Sequence, residues 1–126
     1  MKVNEYVDAS TFEKEGKKDY YDRHTPFVHC EANAKKGEPF KVKVKMGNEY
    51  MHPDDFDHFI SYMQLYNGEK MLGQANFESG AFGNAPAHAE VDFYVVPAKN
   101  MKLQATSYCT KHGFWQSKEV EVAVSE

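Results

Sequence analysis

Six histidines and two cysteines carry the reactive chemistry of this chain. Near its C-terminal end, Ser107-Tyr108-Cys109-Thr110-Lys111-His112-Gly113 sets a thiol and an imidazole three positions apart. At a strand end, with Gly113 free to turn sharply, such a pair can point at one metal ion. A second segment, from Gly47 to Ile60, carries His52, followed by Pro53, and then His58. Two imidazoles at the two ends of a short polar loop can bracket an ion. A third, Asp22-Arg23-His24-Thr25-Pro26, puts an imidazole just before a strand. Each segment alone has an ordinary reading: a core cysteine at a strand end, or histidines on solvated loops.

The elements that must position these residues alternate with period two. Phe40, Val42, Val44 and Met46 alternate with Lys41, Lys43 and Lys45. Ala89, Val91, Phe93 and Val95 alternate with Glu90, Asp92 and Tyr94, and Val120, Val122 and Val124 with Glu119 and Glu121. Each pattern fits a strand with one buried and one wet face. Further strands are expected over Pro26–Ala34, His58–Tyr66, Lys70–Glu78 and Met101–Tyr108. Turn residues separate them, and Asn67-Gly68 is the strongest hairpin signal. About seven short strands predict an all-β fold, an immunoglobulin-like antiparallel β-sandwich. We read 1–126 as a single domain, with 1–22 an irregular N-terminal segment and 23–126 the sandwich. Within the first part, Asp8–Lys18 has room for one helical turn capped by Ser10 or Thr11.

Composition narrows the function classes. Hydrophobic residues make up 41% of the 126, with nine Phe and eight Tyr, as in a folded globular chain. Net charge is −4, against general nucleic-acid binding. Residues 14–45 nevertheless hold nine of the fifteen Lys and Arg, a region that could steer a small anion. No apolar run approaches the ~20 residues of a membrane helix, and Met1–Ser10 has no leader pattern. A cytoplasmic location is expected, where a disulfide between Cys30 and Cys109 would be out of place.

Taken together, the three segments resemble the iron-binding domain of the superoxide reductases, the family of neelaredoxins and desulfoferrodoxins. That family shows Glu-Lys-His-x-Pro, then Gly-x-Glu-x-x-His-Pro with a second His six residues on, then Ser-Tyr-Cys-x-x-His-Gly. The corresponding stretches here are Asp22–Pro26, Gly47–Pro53 through His58, and Ser107–Gly113, in the same order. The resemblance implies one iron, cycling between Fe(2+) and Fe(3+), held by His24, His52, His58 and His112 with Cys109 as thiolate. It implies one-electron reduction of superoxide to hydrogen peroxide, a rubredoxin-like electron donor, and a homo-oligomer, a tetramer favoured over a dimer. Desulfoferrodoxins with a second iron domain carry four further cysteines; this chain resembles the one-iron type.

The chain departs from the family at Asp22 and Arg23. The family's Glu can close the sixth position of the oxidised iron, and Asp22 is one methylene shorter. The family's Lys attracts superoxide and orders water; Arg23 supplies attraction but does not readily release its proton. Lys17, Lys18 and Lys111 are candidates for that second task. His29, His88 and Cys30 match no ligand position, and Tyr108, Phe114 and Trp115 are expected to pack around the thiolate. Three other readings compete. A blue-copper electron carrier would need a Met after His112, and structural zinc prefers four ligands. An iron protein that senses or shuttles electrons without turning over superoxide is the third.

Overall fold

In strand β4, Phe40–Met46, the side chains of Phe40, Val42, Val44 and Met46 are buried and the lysines between them are not. This is the pleat acting on an alternating sequence. The computed structural model, which describes residues 1–126, repeats the pattern across ten strands. In chain order the others are β1 (Val3–Asn4), β2 (Pro26–His29), β3 (Asn33–Lys35), β5 (Ile60–Asn67) and β6 (Lys70–Asn76). They continue with β7 (Glu90–Val95), β8 (Met101–Cys109), β9 (Gly113–Gln116) and β10 (Val120–Ser125).

The strands form two sheets. The smaller has the order β2-β4-β7, antiparallel throughout. In the larger, β8 pairs with β5 along one edge and with β9 and then β10 along the other. β6 extends the sheet beyond β5, β1 joins β9 and β3 joins β10. The two outermost pairings, β1 with β9 and β3 with β10, are parallel. Between the sheets lie Val42, Val44 and Met46 on one side and Met63, Leu65, Leu103, Ala105 and Val122 on the other. Full burial of an aliphatic side chain contributes about 1.5–3 kcal/mol. The β-sandwich read from periodicity is therefore the fold observed.

Three local features differ from the sequence reading. The run Pro26–Ala34 is not one strand: it breaks at residues 30–32, and β2 and β3 join different sheets. β1 and β9 are short additions. The N-terminal segment contains a 3₁₀ turn, Ala9–Thr11, and a ten-residue helix α1, Glu15–His24. The turn is capped by Asp8, whose carboxylate accepts from the Ser10 N–H, rather than by Ser10 or Thr11. α1 ends because Pro26 disfavours a helical Thr25, and Thr25 is extended.

Candidate metal centre

Alternation along β8 determines where Cys109 points. Met101, Leu103, Ala105 and Ser107 share its parity and are buried, so its thiol emerges at the end of the core, itself 0% exposed. Gly113, with φ at 80°, lets the chain reverse into β9 and brings His112 back over the thiol. The His112 N–H lies 3.4 Å from Cys109 Sγ. His24 is the last residue of α1 and is fully buried. His52 and His58 flank a loop tied down at both ends. His52 and Ala87 exchange backbone hydrogen bonds of 2.9 and 3.0 Å, and Asp55 and His58 exchange bonds of 2.9 and 3.1 Å.

These segments converge. His24, His52, His58 and Cys109 each offer a donor atom, all within 4.8 Å of one another. His112 lies beside them, its Nδ1 3.1 Å from His24 Nε2 and 3.7 Å from Cys109 Sγ. Carbonyl acceptors fix two ring tautomers. Nδ1 of His24 is 2.6 Å from the Tyr20 oxygen, and Nδ1 of His52 is 2.7 Å from the Pro53 oxygen. Both nitrogens must carry hydrogen, which leaves Nε2 of each ring as a bare lone pair. His52 Nε2 is 3.3 Å from Cys109 Sγ. Trp115 stacks on His24 with centroids 4.9 Å apart, and its Nε1–H donates to the His112 carbonyl. It packs on an imidazole, where the sequence reading had it around the thiolate.

Burial holds the imidazoles neutral. It pushes His24 down to about 3 and His52 down to about 4, and it lowers His58 and His112 as well. The Arg23 charge acts in the same direction on all four. Burial raises the Cys109 thiol; backbone N–H groups of Lys111 and His112 and the charges of Arg23 and Lys111 only partly oppose it. A thiolate there therefore calls for a cation. His58 Nε2 is buried without a hydrogen-bond partner, and a buried polar atom left so is costly unless something satisfies it. Neutral imidazoles, one orphaned ring nitrogen and a single soft sulfur make a donor set that fits iron.

Comparison with known proteins agrees. The desulfoferrodoxin family model matches residues 13–118. The chain belongs to the desulfoferrodoxin family. The superoxide reductase of Pyrococcus furiosus is 34% identical over 109 residues, 76% of this chain and 86% of that protein. The neelaredoxin of Megalodesulfovibrio gigas is 28% identical over the same length, 75% or more of each chain being matched (76% and 84%). Among solved structures, the superoxide reductase (neelaredoxin) of Ignicoccus hospitalis superposes with a TM-score of 0.74 at 28% identity. That match covers 98% of this chain and 95% of the other.

The two departures from the desulfoferrodoxin pattern occupy different places. Arg23 lies on α1 with its Nε 3.7 Å from Asp19 Oδ1 and without a hydrogen-bond partner. Asp22 stands outside the donor group. It is buried, and its carboxylate accepts the backbone N–H groups of Asn48, Glu49 and Tyr50 at 2.9–3.2 Å. Of the other cations considered, Lys17 lies over the Phe12 ring. Lys18 lines a cavity of about 250 Å³ with Asp22. Lys111 alone bears on His58, His112 and Cys109 together with Arg23. Lys43, part of the basic region, is paired with Glu90 and Asp92 at 3.3 and 3.2 Å.

His29 is exposed, Cys30 packs at the core margin, and His88 Nδ1 lies 2.9 Å from the Met46 oxygen. None joins the donor group. The sequence reading missed the carbonyls of Tyr20 and Pro53. The latter had a local signal, since Pro53 adjoins His52; the former lies in an element the periodicity did not show.

Proposed function

We propose that this chain is a superoxide reductase, carrying out one-electron reduction of superoxide to hydrogen peroxide at one iron per chain. The iron would be held by Nε2 of His24, His52 and His58, Nδ1 of His112 and Sγ of Cys109. The observation that carries the reading is the convergence of four of these side chains to within 4.8 Å, with His112 Nδ1 3.1 Å from His24. When bound, the iron supplies the electron, and two protons complete hydrogen peroxide.

The remaining work falls to the chain itself. Tyr20 and Pro53 hold two imidazoles with their lone pairs inward. Trp115 and Tyr20 exclude water from the His24 side, their rings 4.9 and 4.8 Å from the imidazole. Arg23 draws the anion toward the site. Asp22 holds the loop 48–50 that leads into His52, instead of acting directly on iron. The proposed donor of electrons is a rubredoxin-like protein, and the proposed setting is a cytoplasmic homo-oligomer, a tetramer before a dimer. The family resemblance supports these last points; no helix is long and apolar enough to cross a membrane.

Metal analysis with absorption spectra of oxidised wild type and Cys109→Ala tests the site. A sulfur-to-iron charge-transfer band is expected in the wild type and absent in the variant. Pulse radiolysis tests the reaction: superoxide should be consumed near the diffusion limit, yielding peroxide with no dioxygen. An oxidised wild type without the band, or dioxygen among the products, would end the proposal.

A further inference from the structure

Two residues past His52, Asp54 is a second buried aspartate, 3% exposed. Its carboxylate accepts three backbone N–H groups: Gly80 at 3.2 Å, Phe82 at 2.8 Å and Asn84 at 3.1 Å. The loop is curled to make this possible. Gly80, Gly83 and Asn84 take φ values of 85°, 80° and 57°, a left-handed backbone that turns alternate N–H groups inward around an anion. A buried carboxylate without a cation is expensive to keep, and Asp54 makes no ion pair and is not in the donor group.

The loop it captures returns to the site. From residue 84 the chain runs on to Ala87, which exchanges both backbone hydrogen bonds with His52. A closed circuit results: His52 to Asp54 through the chain, Asp54 to 80–84 through the carboxylate, 84 to Ala87 through the chain, and Ala87 back to His52. With the main chain of His52 held in this circuit and its Nδ1–H held by the Pro53 carbonyl, the imidazole has little freedom left.

We infer that Asp54 is a positioning residue of the metal centre: by gathering the N–H groups of residues 80–84 it fixes the bridge to Ala87 that aims the His52 imidazole. The inference rests on the reading of His52 as an iron ligand, so its first test uses iron-free protein. Asp54→Asn leaves one carbonyl oxygen to meet three N–H donors. Amide hydrogen exchange at Phe82 and Asn84, and also at His52 and Ala87, should then rise about tenfold or more, while β4 and β8 keep their protection. In iron-loaded protein, loss of ferrous iron to a chelator should rise by a similar factor. Val122→Ala, a core truncation in β10, serves as the stability control and should change neither.

Acceleration confined to residues 80–84, with His52 and Ala87 protected as in wild type, overturns the inference. So does a Val122→Ala variant that matches Asp54→Asn. Should Asp54→Asn fail to fold, the wild type decides: the four amides are expected to share one opening equilibrium, and separate openings for 82–84 and for 52 and 87 refute the coupling. A chain that binds no iron at all would fail the chelator arm while leaving the exchange result intact.

Discussion

Nδ1 of His112 and Nε2 of His24 lie 3.1 Å apart, although 88 residues separate them in sequence. His24 has given its one ring hydrogen to the Tyr20 carbonyl, so its Nε2 can only accept. Without metal the contact is a hydrogen bond from His112. Were iron held as proposed, both lone pairs would face the ion, and the His112 hydrogen would sit on its other ring nitrogen with no net proton lost.

Cys109 behaves differently, and proton counting exposes it. Burial raises its thiol above the ordinary range, so near pH 7 the metal-free protein keeps the S–H. All four imidazoles are lowered and already neutral there. Ferrous iron binding at pH 7 should release about one proton, read with an indicator dye in weak buffer. Cys109→Ala should release almost none. Release of two or more by the wild type would mean that an imidazolium sits among the ligands, against this electrostatic account.

The same burial gives the iron-free fold a pH dependence. His24 and His52 are depressed to about 3 and about 4, while in the unfolded chain they titrate near ~6.5. Between those values the unfolded chain holds more protons, so stability rises with pH there. Acidification from pH 7 to 4 should therefore destabilise iron-free protein by about 1 kcal/mol per pH unit per histidine below ~6. Denaturant titrations at several pH values measure it. His24→Gln should flatten the curve, and an unchanged slope would contradict the burial argument.

Much of this was legible in the sequence where a local rule governs. Period two identified β4 and β8, and parity along β8 is what aims Cys109 inward. α1 was not legible, because its amphipathic signal is weak: between Glu15 and His24 its apolar content is chiefly Tyr20 and Tyr21. Those rings pack on Trp115, and Tyr20 on His24 and His112, contacts made only after β9 has folded back. The histidine set came from resemblance, since spacing within each segment says nothing of how three segments meet. Asp54 looked like one more acid in a polar loop. Its partners stand 26 to 30 residues further on, beyond any local pattern.

Gly47 tests how tightly Asp22 holds its loop. It has φ at 70°, and a Cβ there would overlap the Tyr50 carbonyl oxygen and come within 3.3 Å of Asp22 Oδ2. Both atoms belong to the arrangement in which Asp22 gathers the N–H groups of residues 48–50. Gly47→Ala should cost about 1–3 kcal/mol of stability, read by denaturant unfolding. It should also weaken iron retention, because the displaced loop runs directly into His52. A variant as stable as wild type would show the loop to be slack.

Arg23 offers the sharpest kinetic test, because its charge acts on all four imidazoles and on Cys109 while its Nε has no hydrogen-bond partner. Superoxide is a small anion arriving at a protein of net charge −4, so a local positive field must outweigh a repulsive surface. Arg23→Ala should slow the bimolecular reaction with superoxide several-fold to about tenfold and flatten its dependence on ionic strength. Arg23→Lys should restore most of both, since attraction needs only the charge. If Arg23→Ala slows the reaction but keeps the full salt dependence, the steering belongs to Lys111, the other cation bearing on the site.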